Sequence, residues 1–392
     1  TMQLRSSVLL QQHLVVPSMY VVIFSAYRQG SPSARIAKSL TATTAMISVM
    51  TASVWLRGDQ TPTHTYIYYT FLLLMSVVFA MGMAFLQSAA MALCTQLDTH
   101  GGLLGYLLTG QALHGVLSSL LNLLSTIISG GTTPNKAIYK QENARAALAV
   151  FVSTLVLQVV TWIVFARARY EPAVVACNVH DEPASNAPLT SGAWQRLVQV
   201  QQRIGAWSAC LFGLFFVTLS VYPALTSRVH SVSSRFIWLQ DPNVFVAVHI
   251  VVLNVGDLIG RRIPLLTPRL RIERVWVAMI STIARILFIP AFLACNRSEA
   301  VQVPLPDGVF FVLVFALGLT TGCFSTSFLI SGPLAAVGTH RNAEASQFSD
   351  ASALIEHELG EDAALASMLL SFWLVAGLTA GGIMSLVLQL TT

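Results

Sequence analysis

Residues 244–262 read VFVAVHIVVLNVGDLIGRR, an apolar run whose end carries one carboxylate and two arginines. About 20 mostly apolar residues in an α-helix are long enough to cross the hydrocarbon core of a bilayer. Asp257 and Arg261 are four residues apart, so a helix places them on the same face. A charge inside a bilayer is costly and needs a partner or a water-filled cavity. The run therefore predicts a membrane helix with one polar face.

The composition of the whole chain agrees with such a helix. Of its 392 residues, 55% are hydrophobic and 10% are charged, and the mean hydropathy is +0.68. Soluble domains carry about 25% charged residues, and their surface-to-volume ratio does not allow so large a core. We predict an all-α, polytopic transmembrane helix bundle, because backbone that faces lipid must satisfy its own hydrogen bonds.

Ten apolar runs have the length of a membrane span. They cover residues 9–27, 36–56, 66–97, 102–129, 145–168, 204–226, 242–260, 274–295, 308–331 and 363–389. Placing residue 1 outside puts most of the 22 lysines and arginines in inner segments, as the positive-inside rule favours. A polar segment between the fifth and sixth spans predicts an N-terminal half at 1–169, an inner linker at 170–203 and a C-terminal half at 204–392. We expect the acidic segment 340–362 to be a solvated, partly helical connector on the inner side.

The sequence carries no motif of a soluble catalytic or metal site. It contains no G-x-x-x-x-G-K-[ST], no H-E-x-x-H and no Cys-x-x-Cys. We therefore predict that the chain is not an enzyme and uses neither a metal nor a cofactor. The net charge of +5 lies mostly in short segments between apolar runs, so no nucleic-acid partner is expected. The function classes that remain are a carrier, a channel and a receptor.

Several polar residues on apolar runs are candidates for a solute site. The face that holds Asp257 and Arg261 is the strongest, although an ion pair can also serve only to hold helices together. Arg285 lies near the middle of its run and cannot face lipid cheaply, so we expect a clamp that pairs with carbonyls or an acid, for example Asp257. Gln87 and Gln111 can each bind a polar ligand or join two helices.

Other features of these runs point to packing. Histidines at positions 114 and 249 are expected to be satisfied core residues. Small residues recur at helical spacing, which allows helices to approach closely. The glycines concerned are Gly105, Gly110 and Gly115, the pair Gly318-x-x-x-Gly322 and the pair Gly377-x-x-x-Gly381.

A series of fragments in order resembles the equilibrative nucleoside transporter family. They are FLQSAAMAL at 85–93, GQALHG at 110–115, YPALTSRV at 222–229, Asn254…Asp257-x-x-Gly260-Arg261, ARILFIPAFLACN at 284–296, TGCFSTSFLISGP at 321–333 and ASMLLSFWLVAGLTAGG at 366–382. The resemblance implies eleven helices in a major-facilitator-like arrangement of six plus five. It also implies alternating access to a central site for nucleosides or nucleobases. The first run here resembles the family's second helix, so the family's first helix is expected to be missing from this chain.

The resemblance also implies roles for individual residues. Gln87, Asp257 and Arg261 match positions expected to contact substrate, and Asn254 would support the same helix face. A carboxylate can accept hydrogen bonds from ribose hydroxyls or base N–H groups, while Arg and Gln can meet ribose or base acceptors. Gln111 and Arg285 are expected to have structural or gating roles.

The function we expect is a facilitative carrier of nucleosides or nucleobases, with proton coupling left open. One alternative is a major-facilitator carrier of another small polar solute, because GDLIGRR at 256–262 is similar to an inner-loop motif of that superfamily. The other alternative is a membrane receptor or structural protein that transports nothing. We expect a multi-pass protein of the plasma membrane, with an organelle membrane as the alternative.

Overall fold

The computed structural model describes residues 31–55, 62–98, 101–129, 136–179, 191–232, 237–295, 306–344 and 352–391, and all of the regular secondary structure in these ranges is helical. Eleven α-helices lie in these ranges, and we number them in chain order. They are α1 Pro32–Trp55, α2 Pro62–Leu97, α3 Gly102–Ser129, α4 Lys136–Ala168, α5 Pro172–Val179, α6 Ser191–Val221, α7 Pro242–Leu266, α8 Val275–Ala284, α9 Phe288–Leu293, α10 Asp307–Glu344 and α11 Ser352–Thr391.

Within the described ranges, eight segments are long and apolar enough to cross a membrane, and they coincide with eight of the ten predicted runs. They are Tyr66–Leu97, Gly102–Ile128, Phe151–Ala168, Trp194–Arg228, Pro242–Leu266, Val275–Leu293, Asp307–Val337 and Gly360–Leu388. The all-α membrane fold is therefore confirmed, but a count of ten spans is not. The run at 9–27 lies outside the described residues. The run at 36–56 forms α1, which is not apolar enough to count among these segments.

The moderate apolarity of α1 comes from its many Ser and Thr residues. Several of their hydroxyls donate to the carbonyl four residues earlier, as Thr44 does to Leu40 at 2.6 Å and Thr51 to Ile47 at 2.7 Å. A hydroxyl bonded in this way needs no water, so α1 can be buried despite its polar composition.

The chain divides into two compact units, each assembled from segments that are distant in sequence. The first comprises 1–103, 143–205 and 332–375, and the second comprises 104–142, 206–331 and 376–392. The division into an N-terminal half, a linker and a C-terminal half stays a prediction.

Small polar and apolar contacts hold the helices of the first unit together. α1 packs along α2, and Leu40 of α1 is buried with Ala89 and Leu93 of α2. Thr95 of α2 and Ser367 of α11 share a hydrogen bond of 2.7 Å between their hydroxyls. Such buried hydroxyl pairs join helices without charge.

An ionic cluster in the first unit changes the interpretation of two segments. Arg196 of α6 donates to Glu361 at 2.6 Å and to Asp362 at 2.8 Å, and Arg203 reaches Asp362 at 3.3 Å. Asp362 is buried, so the expectation of a solvated connector over 340–362 is wrong at this end. The acidic charges can leave water because arginines neutralise them and donate hydrogen bonds.

The described part of the predicted linker at 170–203 contains α5 and the first turns of α6. α6 also carries an apolar stripe, which begins among the polar residues of its first turns. Val200, Ile204 and Trp207 are buried at spacings of four and three residues, which is the repeat of an amphipathic helix.

The core of the second unit contains a cluster of aromatic rings. The ring of Phe310 lies 5.4 Å from that of Phe245 and 6.1 Å from that of Phe292, centroid to centroid. His249 is fully buried beside them, with its ring edge-on to Tyr222 and Phe310 at 5.9 Å each. His249 is therefore a core histidine, as expected, but neither of its ring nitrogens has a hydrogen-bond partner among the described residues, so the expectation that it is satisfied is wrong.

Glycines bring α7 and α10 into contact through their backbones. A Cβ added to Gly256 of α7 would lie 2.6 Å from the carbonyl oxygen of Phe315, and one added to Gly260 would overlap the carbonyl of Leu319. We call this contact the glycine seam, and it includes Gly318 and Gly322 on α10.

The seam is reciprocal, because a Cβ on either glycine of α10 would overlap a backbone carbonyl of α7. The packing role predicted for Gly318 and Gly322 is confirmed, as is that of Gly377 and Gly381, which lie against the backbone of α6 at Phe212 and Phe216. The matching pair on α7 is Gly256-x-x-x-Gly260, which the sequence analysis did not single out.

Replacing Gly260 with alanine should therefore destabilise the protein, because the new methyl meets backbone that cannot rotate away. Overpacking of this kind costs about 1–3 kcal/mol. Gly205→Ala on α6 is the matched control, since a Cβ at that position has nothing within 4 Å. Thermal denaturation of the detergent-solubilised protein should show a lower midpoint for Gly260→Ala only. Equal midpoints for the two variants would contradict the seam.

Candidate functional site

The polar face of α7 carries three of the predicted site residues, Asn254, Asp257 and Arg261. α7 begins at Pro242, after an N-cap at Asp241 whose carboxylate accepts from the N–H of Asn243 at 2.8 Å. The Nε of Arg261 donates to Oδ2 of Asp257 at 2.9 Å, one helical turn earlier. Both side chains are mostly buried, with 13% of Arg261 and 16% of Asp257 exposed.

This ion pair leaves much of its hydrogen-bonding capacity unused. Oδ1 of Asp257 is buried and has no hydrogen-bond partner among the described residues. Among the described residues, Arg261 makes one side-chain hydrogen bond, in which its Nε is the donor. A guanidinium has five N–H donors. The unused carboxylate oxygen and the unused guanidinium N–H groups therefore belong to two side chains that one hydrogen bond joins on the same face of α7.

Asn254 connects this face of α7 to α3. Its Nδ2 donates to the carbonyl of Ile250 at 3.0 Å. Its Oδ1 lies only 2.8 Å from the position that a Cβ on Gly115 would take, so a side chain there would displace the Asn254 amide. Asn254 thus lies on the predicted face, with its amide N–H used by its own helix.

Arg285 is buried, with 2% of its surface exposed, at a break in its helix. A 3₁₀ turn at Arg285–Leu287 separates α8 from α9. Pro290 explains the break, because proline lacks the N–H for the carbonyl of Ile286 and its ring crowds that group. The turn places the guanidinium against α6 and α10.

Three threonines surround the Arg285 guanidinium. Its Nη1 donates to Thr320, and its Nη2 donates to Thr218 at 2.9 Å and to Thr321 at 2.8 Å. Each hydroxyl in turn donates to the carbonyl four residues earlier in its helix, at 2.7 Å. A hydroxyl has one hydrogen, so these bonds leave its lone pairs for the arginine. We call this arrangement the threonine cage.

The cage confirms that Arg285 faces the protein but corrects its expected partners. They are side-chain hydroxyls, and the ion pairs of the described residues include none between Arg285 and Asp257. The two groups still interact electrostatically. A clamp role fits this geometry, because one side chain joins α6 and α10 to the turn between α8 and α9.

The other candidates lie on other helices. Gln87 is half-buried on α2, in the first unit, and its contact with substrate stays a prediction. Gln111 is exposed on α3, in the second unit. His114 is exposed on the same helix, so the expectation of a core histidine is wrong there. Among the described residues, no group of three or more His, Cys, Asp or Glu side chains could hold a metal ion.

A family model described as "Nucleoside transporter" matches residues 73–353, well over half of the chain. Equilibrative nucleotide transporter 1 of Arabidopsis thaliana is 26% identical over 274 residues, which is 63% of this chain and 55% of that protein. Nucleoside transporter 2 of Leishmania donovani is 29% identical over 203 residues, 52% of this chain and 33% of that protein. Equilibrative nucleoside transporter 2 of Homo sapiens is 31% identical over 125 residues, 30% and 26% of the two chains.

The chain thus spans about half the length, or less, of these curated relatives. Among solved structures, the crystal structure of the major facilitator superfamily transporter FucP in the outward conformation is similar to it. The TM-score is 0.56 at 12% identity, over 98% of this chain and 87% of that one. This likeness confirms the predicted major-facilitator-like fold.

The threonine cage predicts opposite outcomes for two isosteric changes on α10. Thr321→Val removes an acceptor from a buried guanidinium, which should cost about 1–3 kcal/mol of stability. Thr326→Val is the control, because the Thr326 hydroxyl is buried without a hydrogen-bond partner in the part of the chain that the structure describes. Losing an unsatisfied group should be neutral or stabilising. Thermal denaturation in detergent distinguishes them, and an unchanged Thr321→Val would contradict the cage.

Proposed function

This chain belongs to the nucleoside transporter family, and from that premise we propose that it carries nucleosides or nucleobases across a membrane. It is an integral, multi-pass membrane protein. The observation that supports the proposal best is the half-satisfied Asp257–Arg261 pair on a membrane helix. A pair that serves only to hold helices together would have its remaining donors and acceptors bonded to those helices.

The chemistry of the pair suits a neutral solute with donors and acceptors close together. The free carboxylate oxygen of Asp257 can accept from ribose hydroxyls or from base N–H groups. The free guanidinium N–H groups of Arg261 can donate to ribose or base oxygens and to ring nitrogens. A phosphate would have to approach the Asp257 carboxylate, so the pair favours nucleosides and nucleobases over nucleotides.

We propose that transport follows alternating access, with the polar face of α7 as part of the substrate site. Asp257 and Arg261 would contact the solute directly, and Asn254 would support that face from one turn away. The family resemblance supports Gln87 as a further substrate contact. Arg285 would serve as a clamp and Gln111 in a structural or gating role, and the plasma membrane is the location we propose.

Replacing Asp257 with asparagine tests the site. Asparagine has the same shape and its carbonyl oxygen can still accept from Arg261, so the protein should fold. Loss of a charged acceptor typically weakens binding by about 1.5–3 kcal/mol, which is a fall in uptake of about 10- to 100-fold. Initial rates of labelled uridine and hypoxanthine uptake, corrected for surface expression, measure the effect. Asp241→Asn is the control, because asparagine is an equally good N-cap.

Normal uptake by Asp257→Asn would remove this residue from the substrate site. The wider proposal has its own test in the same assay. Uptake of neither uridine nor hypoxanthine by the unaltered protein, at normal surface expression, would contradict it. Uptake of a labelled sugar in their place would favour the alternative of a carrier for another polar solute. Measuring uridine uptake with and without a proton gradient would decide whether transport is proton-coupled.

A further inference from the structure

The connection between α7 and α8 is rich in arginine and joins two membrane spans. The segment Pro242–Leu266 ends where this connection begins, and the segment Val275–Leu293 begins where it ends. Residues 262–274 include four arginines and one glutamate, so they carry a net positive charge. We call residues 262–276 the basic loop. Because only 267–274 separate the two spans, the loop lies at the membrane surface, at the level of the lipid headgroups.

The backbone of the basic loop is held in one shape. The N–H of Thr267 donates to the carbonyl of Ile263 at 2.9 Å, which continues the last turn of α7. A 3₁₀ turn follows at Pro268–Leu270. The hydroxyl of Ser331 on α10 then donates to the carbonyl of Ile272 at 2.9 Å. None of these bonds uses an arginine side chain, so the loop is a preformed support for its guanidinium groups.

Three arginines of the basic loop have no partner among the described residues. Arg271 differs from them, because it donates to Glu273 through Nε at 3.0 Å and Nη2 at 2.6 Å. Arg262, Arg269 and Arg274 make no side-chain hydrogen bond or ion pair within the described ranges. Arg269 and Arg274 are exposed, and Arg262 is partly exposed. A guanidinium presents a planar set of donors that matches the oxygens of a phosphate.

Exposed apolar side chains stand next to these arginines in the chain. Leu266 and Leu270 are 71% and 60% exposed, and Trp276 is 58% exposed. Tryptophan is enriched where a membrane helix meets the headgroups. Trp276 also begins an exposed apolar stripe at helical spacing, which continues along α8 with Met279, Ile280 and Ile283. A surface that suits acyl chains therefore starts where the arginines end.

We propose that the basic loop binds an anionic phospholipid. Its phosphate lies against Arg269 and Arg274, and its acyl chains lie against Trp276 and the exposed stripe of α8. Charge decides between lipid classes, because a lipid with a net negative charge is attracted to the loop more strongly than a zwitterionic one. The stripe decides between lipid and a soluble protein partner, because it lies within a segment apolar enough to cross a membrane. A bound lipid would hold the end of α7 that follows the Asp257–Arg261 pair.

Fluorescence quenching in lipid nanodiscs tests the site with the complete protein. The discs contain phosphatidylcholine and a varied fraction of either brominated phosphatidylserine or brominated phosphatidylcholine. Bromine on an acyl chain quenches a tryptophan that it contacts, and the variant Trp276→Phe identifies which part of the signal comes from Trp276. We expect brominated phosphatidylserine to reach half-maximal quenching of Trp276 at a fraction about 10- to 30-fold lower than brominated phosphatidylcholine, for two arginines.

Two double variants separate the loop from general surface charge. Arg269→Gln with Arg274→Gln should abolish the preference for phosphatidylserine, and the fold should survive because neither side chain has a partner among the described residues. Arg167→Gln with Arg169→Gln is the matched control, since it removes two exposed arginines next to the end of the segment Phe151–Ala168. The control should keep the preference. Equal loss of the preference in both double variants would overturn the site.

The unaltered protein gives two further outcomes that would overturn the site. Equal quenching by the two brominated lipids would mean that the headgroup charge is not recognised. No quenching of Trp276 by either lipid would mean that another protein surface covers it. The measurement needs no transport, so a failure of the protein to take up uridine would contradict the proposed function and leave the lipid site standing.

Thermal denaturation in detergent adds a second measurement. Phosphatidylserine should raise the midpoint of the unaltered protein and of the Arg167 and Arg169 control, because a ligand of the folded state stabilises it. It should not raise the midpoint of the Arg269 and Arg274 double variant. Soluble glycerophosphoserine, which has the headgroup without acyl chains, should have little effect. Equal stabilisation by glycerophosphoserine would overturn the part that Trp276 and the apolar stripe play in binding.

Discussion

A charged side chain inside this chain must find its partner within the protein, because hydrocarbon supplies neither water nor a counter-ion. The described helices meet this constraint in three ways. Arg196 and Arg203 share acidic side chains of α11, and Arg285 has the threonine cage. The third is the pair on α7, which keeps unused donors and an unused acceptor. A ligand with matching groups gains most at that pair, so the same constraint that shapes the fold also points to the site.

The glycine seam determines how firmly this pair is held. Asp257 directly follows Gly256, and Arg261 directly follows Gly260, so each charged residue comes one position after a backbone contact with α10. Packed backbones leave little room for small displacements. A solute held by α7 would therefore also act on α10, and the charged groups would keep their spacing when these helices move.

Much of the fold follows from the sequence, because lipid demands long apolar helices and such runs are easy to recognise. The prediction fails where polarity misleads. Asp362 looks solvated, because its arginine partners lie more than 150 residues away in sequence.

The same limit applies to the site. The spacing of Asp257 and Arg261 predicts their contact, since it is local to one helix. The cage of Arg285 depends on threonines of two other helices, which no local pattern identifies. The family resemblance added Gln87, whose role no single-helix argument could supply.

The threonine cage also has a consequence for the order of synthesis. Thr218 is made before Arg285, but Thr320 and Thr321 come about 35 residues after it. When the segment with Arg285 leaves the ribosome, two of its three acceptors have not yet emerged. An unpaired arginine at mid-membrane opposes insertion by about 3 kcal/mol. The segment containing α8 and α9 is therefore expected to insert stably only after α10 has reached the membrane.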